Sequence, residues 1–144
     1  MTREGYAAPA ADGSKVNIEV SPTSDRLQLL SGHADLVTTP SASGKGQRIA
    51  RCPVCRVALW SHYAGSGDRV SFVRVGTFDE PDRFPPDVHI YTESKQPWVL
   101  LDANVPAVPA YYDRAAHWPR ESLERMSVLV PHIEAYRNSL EQQR

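Results

Sequence analysis

Arg51-Cys52-Pro53-Val54-Cys55-Arg56 decides how this chain is read. Two thiols stand either side of a two-residue gap, with proline after the first. Gln47 to Arg51 precede them and Val57 to Tyr63 follow, and both runs are strand-like in composition. A tight turn between two strands aims both sulfurs at one point, which is the shape of a metal knuckle. A thioredoxin-like redox motif opens a helix instead, and Val57-Ala58-Leu59-Trp60 reads as strand. Knuckle geometry is therefore favoured over helix-borne redox chemistry, and a vestigial pair of partly buried thiols is the plain alternative.

Working outward on both sides, the chain alternates short strands with turns. Val16, Ile18 and Val20 alternate with polar residues, and Arg26 to Leu30 make a second short run. Leu36 to Thr39 and Gln47 to Arg51 flank the polar, glycine-bearing stretch 40–46, which predicts a hairpin rather than a phosphate loop. Beyond the knuckle, residues 57–63, 70–75, 88–91 and 97–101 are all expected as strands. The tail changes period. Trp118-Pro119 opens a helical pattern whose apolar residues are Leu123, Met126, Val130, Ile133, Tyr136 and Leu140. Pro131 interrupts it, predicting one kinked helix or two short ones. The fold class is thus mainly β: short antiparallel sheets around a zinc knuckle, with a C-terminal helical tail. Residues 1–12 are expected to be a flexible start, 13–113 the β domain and 114–144 the helical extension.

Composition excludes several functions. The 144 residues carry 16 basic and 17 acidic side chains, a net charge of −1, with no basic stripe for nucleic acid or membrane. No apolar run approaches the ~20 residues of a membrane span. Two cysteines at this spacing make no disulfide framework. A soluble, cytoplasmic, single-domain protein is the expectation.

A structural zinc takes four protein ligands, and this chain has two cysteines. Five histidines, His33, His62, His89, His117 and His132, are the available nitrogen donors, and none has signature spacing to the thiols. A four-thiolate site across a two-fold axis, one pair from each copy of a homodimer, is the other route.

The order of landmarks resembles one family. The Cys52-Pro53-Val54-Cys55 knuckle is followed by Val75-Gly76-Thr77-Phe78-Asp79-Glu80-Pro81. Then come Pro86-Asp87-Val88-His89-Ile90 and Lys95-Gln96-Pro97-Trp98. This run looks like the glutathione-dependent formaldehyde-activating enzyme family, also called the centromere protein V type. The resemblance implies a β-tent fold organised around zinc. It implies carbon–sulfur lyase chemistry on a small thiol adduct such as S-hydroxymethylglutathione. Cys52 and Cys55 match the family's second pair of structural zinc ligands. His89 and Trp98 are candidates to line a substrate groove, against the plainer reading of a sheet-bonded histidine and a core tryptophan. The family pattern also holds an earlier CxC pair and a CxC…C cluster for a second zinc, and neither is present in these residues. The expectation is an N-terminally truncated or degenerate member with impaired lyase activity, or else an inactive β-tent scaffold or dimeric binding module.

Overall fold

The computed structural model describes residues 4–6, 16–19, 27–41 and 44–142. Two antiparallel sheets form the β part. In the first, β1 (Glu4–Tyr6), β2 (Val16–Glu19) and β3 (Leu27–Leu29) lie in sequence order. Strand β1 pairs Gly5 with Ile18, and so falls inside the stretch that composition reads as a loose start. The second sheet runs β4 (Asp35–Thr39), β5 (Gln47–Arg51), β6 (Ala58–Tyr63) and β7 (Phe72–Val73), also in sequence order.

The hairpin expected across residues 40–46 is present. Thr39 sits opposite Gln47, and Gly44 and Gly46 take left-handed backbone at φ 72° and 73°. The next hairpin carries the knuckle. Ala50 pairs with Trp60, and the register shifts between Ala50 and Arg51, where the strand gives way to the Cys52 turn. A shift of this kind bends the strand and re-aims the residues that follow it.

Strands β5 and β6 are buried on both faces. Ile49 and Ala50 are both buried, as are Leu59, Trp60, Ser61 and His62 in succession. Successive strand residues point to opposite faces, so cover must come from two sides. Ala50, Leu59, Trp60 and Phe78 form the core cluster, with Leu27, Ala34, Val73, Val75 and Phe84 packed against it. Phe78 meets Phe84 edge to face at 5.1 Å. Ser61, fully buried, accepts a hydrogen bond from Arg74 Nη2 at 2.9 Å, which satisfies its hydroxyl.

Two expected strands do not form. Residues 88–91 make a single parallel bridge, His89 to Ala107, where His89 N–H donates to Pro106 and Val108 N–H donates to the His89 carbonyl. Tyr91 then turns left-handed at φ 55°, which ends any extended run. Residues 97–101 hold a turn in which Val99 N–H bonds the Gln96 carbonyl. Their apolar side chains gave a strand-like composition, but no neighbouring strand pairs with them among the described residues.

The tail is a short helix α1 (Arg114–His117) and a 22-residue helix α2 (Arg120–Glu141) that runs through Pro131. Asp113 caps α1 through Ala115 N–H at 2.9 Å. Tyr112 accepts the Trp118 indole N–H at 2.7 Å, which ties the segment before α1 to the junction between α1 and α2. The helix packs by its C-terminal half. Ile133 is buried, the Arg69 guanidinium lies 4.8 Å over the Tyr136 ring, and Arg137 Nε donates to the Gly65 carbonyl at 2.7 Å. Val130 and Leu140 remain exposed, so the apolar stripe is only partly covered. Among the described residues no helix is long and apolar enough to cross a membrane.

Candidate functional site

The knuckle turn is built by three backbone contacts. Cys52 N–H donates to the Val57 carbonyl at 2.9 Å, and Arg56 N–H to the Cys52 carbonyl at 3.0 Å. The third, from Cys55 N–H, reaches the Cys52 sulfur at 3.5 Å. The chain turns back into β6 through Arg56, which adopts φ 62°. A non-glycine residue there is held against a steric cost of about 1–2 kcal/mol. Two contacts hold it: Arg51 Nη1 donates to the Arg56 carbonyl at 2.9 Å, and the Arg56 guanidinium pairs with Asp35. Both anchors come from the sheet, Asp35 lying directly across from Arg51. Cys52 is 1% exposed and Cys55 is exposed, and no disulfide joins them.

Zinc can be tested against this donor set. Among the described residues no group of three or more Cys, His, Asp or Glu side chains converges on one point. All five histidines are described, and each stands elsewhere. His33 is solvent-exposed beside Asp35 at 3.9 Å. His117 packs edge-on against Tyr112, and His132 is exposed on α2. The two thiols supply half the ligands of a structural site and two of the three protein ligands of a catalytic one, so the described residues of one chain do not fit the ion.

His62, the histidine nearest the knuckle in sequence, is committed to the core. Its Nε2 accepts the Trp60 indole N–H at 3.1 Å, which leaves the ring proton on Nδ1, 3.3 Å from the Val70 carbonyl. Both nitrogens are therefore occupied. Burial holds its pKa below the usual 6.5, and Arg48 adds to the effect, while the Val70 bond and Asp68 oppose it. The unfolded chain then takes up a proton near pH 6.5, where the folded chain does not. Stability is full above that pH and falls as pH drops through it toward the folded value. Urea midpoints at about pH 8 and about pH 5.5 are expected to show this loss. His62→Gln keeps an acceptor and a donor and should flatten the difference; an unchanged slope in the variant would assign the pH dependence to other groups.

The other two candidate residues lie on the 88–110 segments. His89 is half-buried and held by its backbone to residues 106–108, and its Nε2 is enclosed without a hydrogen-bond partner among the described residues. Two bonds from Asn104 hold the Asp102 carboxyl below its usual range. Trp98 does not fill the core; it is 77% exposed. It sits in the 96–99 turn, and no strand pairs with that segment among the described residues. Leu100 is 93% exposed, and Tyr91 and Tyr111 are exposed with ring centres 6.2 Å apart. Composition alone gave no sign of this aromatic surface, because large apolar residues default to the interior.

One of the comparisons bears on the family expectation and agrees with it. The family model described as glutathione-dependent formaldehyde-activating enzyme matches residues 9–94, more than half of the chain. The mitochondrial aconitate hydratase of Aspergillus fumigatus is 70% identical over 30 residues. That match covers 21% of this chain and only 4% of that protein, so it bears on a short segment alone. No solved structure matches the chain.

Proposed function

Because the chain belongs to the glutathione-dependent formaldehyde-activating enzyme family, we propose that it is a carbon–sulfur lyase-like member with impaired turnover. Its ligand class is the thiol adduct of a small aldehyde, of the S-hydroxymethylglutathione kind. The donor set at the knuckle supports the impairment: two thiols, with no third ligating side chain beside them among the described residues. Bound zinc would supply Lewis acidity or hold a thiolate. Cys52 and Cys55 would be its ligands, but they do not complete a site within one chain. The residues proposed to meet an adduct are Trp98, through its exposed ring, and His89, whose Nε2 has no hydrogen-bond partner among the described residues but is enclosed, so that an adduct reaches it only if its cover opens.

A catalytically inactive scaffold acting as a dimeric binding module is the second reading. It is favoured by the exposure of Trp98 and Leu100 on one short segment, since contiguous apolar surface marks interaction sites. One experiment separates the two. Purified protein is added to formaldehyde and glutathione, and adduct formation is followed beside the uncatalysed reaction. For an impaired lyase the expected result is a slight acceleration that scales with protein concentration and is lost in Cys52→Ser. A strong acceleration would overturn the impairment. The bare uncatalysed rate, together with a dimer mass in solution, would leave the binding module.

A further inference from the structure

The knuckle holds its two sulfurs at different depths. Cys52 is 1% exposed, while Cys55, at the end of the turn over residues 53–55, is open to solvent. A reverse turn brings its ends within about 7 Å, Cα to Cα. A disulfide spans about 4.4–6.8 Å. The Cys55 amide lies 3.5 Å from the Cys52 sulfur, so the buried thiol stands next to the backbone that carries the exposed one.

This depth difference distinguishes two uses of the pair. An ion shared between two copies needs all four sulfurs at about 2.3 Å from one point, hence both sulfurs of each chain at the surface. Cys52 is not at the surface. A dithiol that closes on itself needs one sulfur outside to meet an oxidant and one behind to finish the reaction. The pair has that arrangement. The turn also has supports outside the reacting atoms, through the Arg51 bond to the Arg56 carbonyl and the Arg56 pairing with Asp35.

We propose that Cys52 and Cys55 are an oxidisable dithiol whose substrate class is the small, soluble disulfide. The Cys55 thiolate attacks one sulfur of R–S–S–R. That bond breaks, a Cys55–S–S–R bond forms, and one thiolate RS⁻ leaves. Cys52, deprotonated, then attacks the Cys55 sulfur; the Cys52–Cys55 bond forms and the second RS⁻ leaves. The protein gives up two electrons and two protons, and the disulfide becomes two thiols. Thiol–disulfide exchange runs through such mixed disulfides, and access selects the attacking sulfur.

The test uses the purified chain and mixtures of glutathione disulfide with glutathione. Intact mass and the count of alkylatable thiols are read after acid quenching and denaturation. The wild type is expected to go from two alkylatable thiols to none, with loss of two hydrogens and no retained glutathione. Cys52→Ala should stop with one glutathionyl group on Cys55. Cys55→Ala should react far more slowly, because its remaining sulfur is enclosed. A wild-type chain that retains glutathione would overturn the resolving role of Cys52. Two thiols unchanged at every ratio, or bound zinc that shields both from the disulfide, would overturn the dithiol itself. The wild-type measurement decides the matter even where Cys52→Ala, altered in the core, does not fold.

Discussion

Replacing Trp60 with alanine is expected to remove about 3–5 kcal/mol of stability, the usual range for emptying an aromatic site in a packed core. Trp60 belongs to the buried cluster with Ala50, Leu59 and Phe78, to which both β5 and the 75–84 segment contribute. It also carries a polar obligation. Its indole N–H is the donor to His62 Nε2, and without it that nitrogen faces the core unpaired. An orphaned buried acceptor costs about 1–3 kcal/mol more. A domain of ordinary stability holds about 5–15 kcal/mol in total, so Trp60→Ala should leave little folded protein at 37 °C. Trp60→Phe divides the two contributions, keeping most of the ring volume and losing the N–H. Urea melts of the three proteins are expected to order wild type, Trp60→Phe, Trp60→Ala. A Trp60→Ala midpoint close to wild type would mean that the core is centred elsewhere.

The same contacts mark what can be read from sequence. Strands β4, β5 and β6 are legible because turn signals bound them, the polar, glycine-bearing stretch 40–46 between β4 and β5 and the Cys-Pro-Val-Cys turn between β5 and β6, which are local signals. Residues 88–91 and 97–101 have the same β-branched and aromatic composition, yet make one bridge and one turn. A strand exists only where a partner row of N–H and C=O groups is available, and no composition specifies the partner. The core reading of Trp98 fails for the same reason: among the described residues no strand pairs with its segment, and the ring is exposed. The CxxC spacing pointed to the turn between two strands. It could not give the depth of each sulfur, which is set by the register shift at Ala50–Arg51 and by the return into β6 through left-handed Arg56. His62 illustrates the point at a single side chain. As a sequence letter it is a candidate ligand seven residues past Cys55. In the fold both ring nitrogens are spent on Trp60 and Val70, and the chemistry of the knuckle is left to the two thiols.

Gly67→Ala is the second substitution with a large expected effect, and it tests how the helix is attached. Gly67 opens the short helical turn Gly67–Arg69 with φ at 58°, where an alanine costs about 1–2 kcal/mol. Its added Cβ would also lie 2.9 Å from Tyr136 Cε1 and 3.0 Å from Cζ. The ring has little room to withdraw. Arg69 covers it, and α2 is tied down one residue later by Arg137 on the Gly65 carbonyl. Overpacking of this kind adds about 1–3 kcal/mol, so the total expected loss is about 2–5 kcal/mol by the sum of the two effects. Gly65→Ala is the internal control. Its Cβ would meet only the Arg137 guanidinium, at 3.6 Å, and should change stability by no more than about 0.5 kcal/mol. Adding Tyr136→Ala to Gly67→Ala removes the clash and leaves the backbone cost, so the pair should lose less than the sum of the singles. Additive losses would show that Tyr136 does not rest on Gly67. The docking of α2 would then depend on Ile133 and on the Arg137 hydrogen bond to Gly65.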